Sequence, residues 1–191
     1  MPADLPICPA PGPVCAPRTK APAGAADCHF HIFGRQERYP LSPQTRYVPA
    51  EASVEVYLAL AHTLGIGRMV VVQPSPYGTD NRCTLDVIRT FGLERARGVA
   101  VAGLDVSTAQ LKEMHDGGIR GIRINAVTGG VPLSELEGLA QRIAPLGWHL
   151  QLFVTPSSLI RLEPALRQLT LPVVIDHMGH VPASQGTGSA R

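Results

Sequence analysis

Asp27-Cys28-His29-Phe30-His31-Ile32-Phe33 places two histidines one residue apart inside a short apolar run. In a β-strand, side chains two residues apart project from the same face. His29 and His31 are therefore expected side by side, with Phe30 and Ile32 packing on the other face. Two neutral imidazoles aimed at one point form half of a metal site, or a polar pair gripping an anionic or carbonyl oxygen. Two half-buried histidines bonded to backbone would leave the same pattern.

Beyond this stretch, strand-like runs alternate with segments of helical periodicity. A loop containing Tyr39, Pro40, Pro43, Tyr47 and Pro49 leads to a helix expected from about Ala50 to Leu64, ended by Gly65 and Gly67. Further strands are expected at Arg68 to Gln73, Gly98 to Leu104, Gly121 to Asn125, Trp148 to Val154 and Pro172 to Asp176. Helices between them are expected after a cap at Thr79, Asp80 or Asn81, after Ser107, over Leu133 to Leu146, and over Ser157 to Gln168. Val70-Val71-Val72 and Val173-Val174-Ile175 are apolar at consecutive positions, as in parallel strands buried on both faces. Polar residues gather at the strand ends: Gln73, Asn125 and Asp176-His177. That distribution matches the C-terminal rim of a (β/α)₈ TIM-type barrel, of which about six βα units are present. A doubly wound open sheet is the rival, and it lacks a G-x-G-x-x-G turn after the first strand.

With 45% hydrophobic and 17% charged residues, the chain has an ordinary globular composition. A net charge of +2 with interspersed signs gives no electrostatic case for nucleic acid. No apolar run approaches the roughly 20 residues of a membrane span. Cys8, Cys15, Cys28 and Cys83 are scattered without zinc-module spacing, so a reduced, cytoplasmic protein is expected. Residues 1–26 are rich in Pro, Ala and Gly and read as a flexible leader. Residues 180–191 read as an irregular tail after a domain spanning 27–179.

Five segments in order resemble one known family: Asp27 to Gly34, Val72-Gln73-Pro74-Ser75-Pro76-Tyr77-Gly78-Thr79-Asp80-Asn81, Arg97-Gly98-Val99-Ala100, Gly118 to Asn125, and Val174-Ile175-Asp176-His177-Met178-Gly179. Together they are similar to the amidohydrolase-related TIM-barrel hydrolases that include 2-pyrone-4,6-dicarboxylate hydrolase and sugar lactonases. The resemblance implies hydrolysis of a lactone or related ester by water attack on its carbonyl. It implies catalytic roles for His29, His31 and His177. His29 and His31 match a first-strand pair that in many relatives binds one divalent metal, zinc or manganese, and in others acts without one. Tyr47, Ser75 and Arg123 match substrate-binding positions. A fork from Arg and neutral donors from Tyr and Ser suit a carboxylate, and a carbonyl gaining charge needs donors aimed at it.

The chain departs from the family pattern twice. The segment Ala126-Val127-Thr128-Gly129-Gly130 carries no basic residue where dicarboxylate hydrolases have one, so a neutral or mono-acid lactone is expected. The resemblance also implies two further βα units and a last-strand aspartate that activates water, so the chain reads as a C-terminally truncated member whose activity alone is open. A barrel of this kind typically takes about 250 residues. A truncated non-catalytic fragment and a small-molecule-binding α/β protein are the competing readings. The expected partner is a small lactone, with neither nucleic acid nor membrane, and an oligomer remains compatible.

Overall fold

The apolar runs fold as parallel strands, each tied to the next by an outer helix. The computed structural model describes residues 5–184, so part of the expected leader and tail, 1–4 and 185–191, lies outside the described residues. A short strand β1 (Ile7–Cys8) pairs in parallel with β3 (Val48–Pro49). The leader therefore needs one amendment: hydrogen bonds from Val48 and Ala50 N–H groups to the Pro6 and Cys8 carbonyls fasten it to the loop. The main sheet runs β2 (Ala26–Phe30), β4 (Arg68–Val72), β5 (Ala96–Ala100), β6 (Ile119–Asn125), β7 (His149–Phe153) and β8 (Val173–Ile175).

Every neighbouring pair in that sheet is parallel, and spatial order follows chain order. An order without reversal has no switch point, which removes the doubly wound alternative. The six strands curl into half of a barrel with helices outside. The consecutive valines explain the placement: Val71 and Val72 are both buried, as are Val99 and Ala100 beside them. Packing is close enough that a Cβ at Gly98 would stand 2.6 Å from Ile88 Cδ1. Glycine there lets α2 (Arg82–Phe91) lie directly on β5.

Several helix limits differ from the sequence expectation, for local reasons. Helix α1 (Val54–Leu64) starts four residues later than expected. Ala52 exchanges two backbone hydrogen bonds with Phe33, and Ser53 then caps the helix by accepting from the Val56 N–H. Ser107 caps α3 (Thr108–Asp116) as expected, in a reciprocal box with Gln110. The expected helix over Leu133 to Leu146 divides into a 3₁₀ turn, α4 (Leu136–Ile143) and a second 3₁₀ turn. Pro145 has no N–H to give the α-helical ladder, so the end tightens. Thr155 caps α5 (Pro156–Leu166).

Asn81 corrects a further expectation. It makes no side-chain cap for α2; its amide instead donates to the Val101 carbonyl at 2.8 Å and accepts the Val101 N–H at 2.9 Å. Asp80 is the one that accepts the Arg82 N–H. Gln73 is likewise spent on structure, donating to the Gly78 and Asp80 carbonyls and accepting from the Thr84 hydroxyl. Cys8, Cys15, Cys28 and Cys83 are free thiols. Among the described residues no helix is long and apolar enough to cross a membrane.

Candidate active site

The C-terminal ends of β2, β6, β7 and β8 bring one set of polar side chains together. His29 sits in β2 and His31 just beyond it, their rings 5.1 Å apart. Phe30 and Ile32 turn to the opposite face as expected, Phe30 stacking on Tyr57 at 3.7 Å. Asp27 anchors the run by accepting the His29 N–H and the Tyr57 hydroxyl. The His31 ring is fixed by its Nδ1, 2.8 Å from the Val72 carbonyl oxygen. A carbonyl only accepts, so Nδ1 carries the proton and Nε2 keeps its lone pair. Burial is the main cause that pulls the His31 pKa down to about 4, so the ring is neutral at pH 7.

Register explains the next group. Arg123 of β6, Gln151 of β7 and Val174 of β8 are aligned across the sheet, so Arg123 and Gln151 are neighbours. Asp176, two residues past Val174, reaches the same place. Arg123 Nε donates to Asp176 Oδ2 at 2.8 Å, and Gln151 Nε2 donates to Asp176 Oδ1 at 2.8 Å. His29 Nδ1 lies 3.3 Å from Gln151 Nε2 and 3.5 Å from Asp176 Oδ1. The Arg123 guanidinium also stands over the Phe153 ring at 4.9 Å. Burial pushes the Asp176 carboxyl up, but the hydrogen bond and positive charge of Arg123 help to hold its pKa below the ordinary value.

His177 completes the cluster. Its ring is 5.0 Å from His29 and meets the edge of Phe153 at 5.2 Å. Its backbone is left-handed at φ 50°, followed by Met178 at φ 55°. Non-glycine residues seldom adopt this region, and such strain concentrates at functional sites. The exposed His177 ring has its pKa lowered, first by desolvation.

The predicted residues thus fall into two groups. His29, His31, His177 and Arg123 converge. Tyr47 and Ser75 pair with each other, the Ser75 hydroxyl donating to the Tyr47 oxygen at 3.4 Å. Burial raises the Tyr47 pKa. Ser75 lines a cavity of about 350 Å³ with Arg46, Thr128 and Gly129. The sequence reading lacks Gln151 and Phe153 and has Asp176 only as a strand-end neighbour of His177. A lone glutamine between Leu150 and Leu152 in a buried strand was the available signal.

Donor atoms of His29, Asp176 and His177 lie within 4.8 Å of one another, the metal-ligand grouping found among the described residues. His31, expected as a partner of His29 in metal binding, lies outside it. The donor chemistry fits a divalent ion poorly. Both Asp176 oxygens already accept N–H groups, one from a guanidinium whose charge opposes a dication.

Comparison with known proteins gives the family. The family model described as Amidohydrolase matches residues 26–191. The chain is 40% identical over 176 residues to 2-pyrone-4,6-dicarboxylate hydrolase of Comamonas testosteroni, covering 91% of this chain and 57% of that protein. It is 35% identical over 173 residues to 4-sulfomuconolactone hydrolase of Hydrogenophaga intermedia, covering 86% of this chain and 55% of that one. A crystal structure of an Acinetobacter baumannii protein described as a probable 2-pyrone-4,6-dicarboxylic acid hydrolase, with citric acid bound, superposes with a TM-score of 0.76. Identity to it is 29%, over 84% of this chain and 61% of that one. The chain therefore spans little more than half the length of the two curated relatives.

Proposed function

The chain belongs to the amidohydrolase family, and on that premise we propose that it hydrolyses a lactone or related cyclic ester by water attack on the ring carbonyl. The observation that carries this reading is the convergence of three imidazoles, His29, His31 and His177, at the ends of parallel strands beside Asp176 and Arg123. A carbonyl oxygen gains charge as water adds, and donors fixed in advance at its position lower the barrier. His29 and His177 fill that donor role. The left-handed turn carries the exposed His177 ring to the site's mouth.

The substrate's acid group is assigned to Tyr47, Ser75 and the part of Arg123 not held by Asp176. Arg46 adds a cation at the same loop: a Cβ on Gly129 would stand 3.4 Å from Arg46 Nε. Positive charge missing from 126–130 is thus present from another segment, which supports a carboxylate-bearing lactone over a neutral one. The Arg123 guanidinium beside Asp176 opposes a dication, so the hydrolysis proposed relies on the chain's own donors. Activity is expected to survive exhaustive dialysis against a chelator, assayed before and after.

One observation favours a second reading, in which the chain binds a lactone without opening it. A general base works best with a pKa near the operating pH. Asp176 is held below the carboxylate range, and His31 lies near 4. A pH-indicator assay with 2-pyrone-4,6-dicarboxylate and sugar lactones decides between the two. The hydrolase reading expects saturable acid release that His29→Ala abolishes. Calorimetric binding without acid release selects the binding reading, and neither signal for any lactone overturns both.

A further inference from the structure

His29 Nε2 is buried and has no hydrogen-bond partner, the one such side-chain atom among the described residues. Whether that atom is a donor or an acceptor depends on the proton at the other ring nitrogen, and Gln151 decides it. The Gln151 side chain presents Nε2 to Asp176 Oδ1 at 2.8 Å, and the same Nε2 is 3.3 Å from His29 Nδ1. Turning the amide over would set its oxygen against a carboxylate oxygen, two acceptors in contact. A proton on His29 Nδ1 would set N–H against the Gln151 N–H at 3.3 Å and would reach Asp176 Oδ1 only at 3.5 Å, an oxygen to which Gln151 already donates at 2.8 Å. The remaining arrangement pairs both amide hydrogens and leaves only one donor unmet: one amide hydrogen goes to Asp176, the other to a bare Nδ1, and the His29 proton sits on Nε2. His31 is fixed the opposite way, since the Val72 carbonyl at 2.8 Å requires its proton on Nδ1.

We propose that Gln151 is a positioning residue that holds His29 as the Nε2–H tautomer, so that adjacent histidines present opposite polarity to a ligand, an N–H from His29 and a lone pair from His31. Such a pair is matched to an oxygen acceptor beside a hydroxyl or water: as water oxygen bonds to the carbonyl carbon and the C=O π pair moves onto the carbonyl oxygen, the lone pair takes up the water proton and the N–H meets the developing oxyanion. The orphaned Nε2–H is then the unmet half of a hydrogen bond to the substrate oxygen. It also leaves His29 without a lone pair facing the site, in accord with the poor fit to a divalent ion. This inference rests on the lactone-opening reading for its chemical meaning, but its first test needs no turnover.

In the full chain labelled with ¹⁵N-histidine, long-range ¹H–¹⁵N correlation near pH 7.5 reports which nitrogen of each ring is protonated. His29→Gln identifies the His29 signals. The expected result is Nε2–H for His29 and Nδ1–H for His31; Nδ1–H on His29 overturns the proposal without any variant of Gln151 having to fold. In Gln151→Met the His29 proton is expected to move to Nδ1, toward Asp176, whereas a purely structural role predicts no change of tautomer. With a turned-over lactone, Gln151→Met is expected to lower kcat about a hundredfold, as losing one oxyanion donor does, with KM little changed. A loss confined to KM counts against it. The expected tautomers in a chain that opens no lactone would sink the hydrolase reading and leave the positioning role standing; turnover with His29 protonated at Nδ1 would do the reverse.

Discussion

Asp176 keeps a carboxylate at 2% side-chain exposure, and Arg123 a guanidinium at 4%, joined at 2.8 Å. Two charges this far from water persist only because each answers the other, with Gln151 filling the second carboxylate oxygen. Removing one partner strands the other, so Asp176→Asn or Arg123→Met is expected to cost about 3–5 kcal/mol in urea unfolding. The double replacement Arg123→Met with Asp176→Leu is expected to cost clearly less than the sum, because no charge is left stranded. His31 gives a pH dependence of known sign. Its folded pKa, about 4, lies below the ordinary 6.5, so the unfolded chain takes up the proton first as pH falls. The stability His31 contributes is complete above about pH 6.5 and is lost progressively toward pH 4. His31→Gln should flatten the unfolding free energy across that window; an unchanged slope between pH 7 and 4.5 would remove His31 as its source.

At the scale of elements, the clamp from Asn81 to the Val101 backbone ties the start of α2 to the chain leaving β5. Asn81→Ala orphans a buried N–H and a carbonyl together and is expected to cost about 2 kcal/mol. Ser107→Ala removes an exposed cap and should cost about 1 kcal/mol. Equal costs by chemical denaturation would mean that the clamp is no more than a cap. This difference also marks what the sequence could tell. The strands were legible because consecutive valines have one good environment, between two layers. Ser107 was legible because its partner Gln110 lies three residues on. Asn81 was not, since its partner is 20 residues away, and neither was the start of α1, fixed by Phe33 pairing with Ala52. The site divided in the same way. His29, His31 and His177 were visible as polar residues at strand ends. Gln151 and Phe153 sit among apolar neighbours in β7, and only register across the sheet brings them to Arg123 and His177.

For the molecule as a whole, the sheet order leaves β2 and β8 each with one strand neighbour among the described residues. Free edges expose N–H and C=O rows that another strand can pair with. Apolar side chains lie near one of them: Val174 on β8 is 44% exposed, Ile160 on the adjoining helix 65%, and Met178 beyond the strand 91%. At the β2 side, Pro11 to Cys15 of the leader line a cavity of about 520 Å³ with His29, His31 and Tyr57, so that edge is partly screened. The two edges should therefore behave differently. Self-association is expected to run through β8, with the weight-average mass in sedimentation equilibrium rising with concentration. Val174→Lys places a charge on that edge and should return the chain toward the monomer mass, while Val14→Lys in the leader should leave association unchanged. A mass independent of concentration in the unaltered chain, or equal effects of both lysines, would show that the β8 edge is not where copies meet.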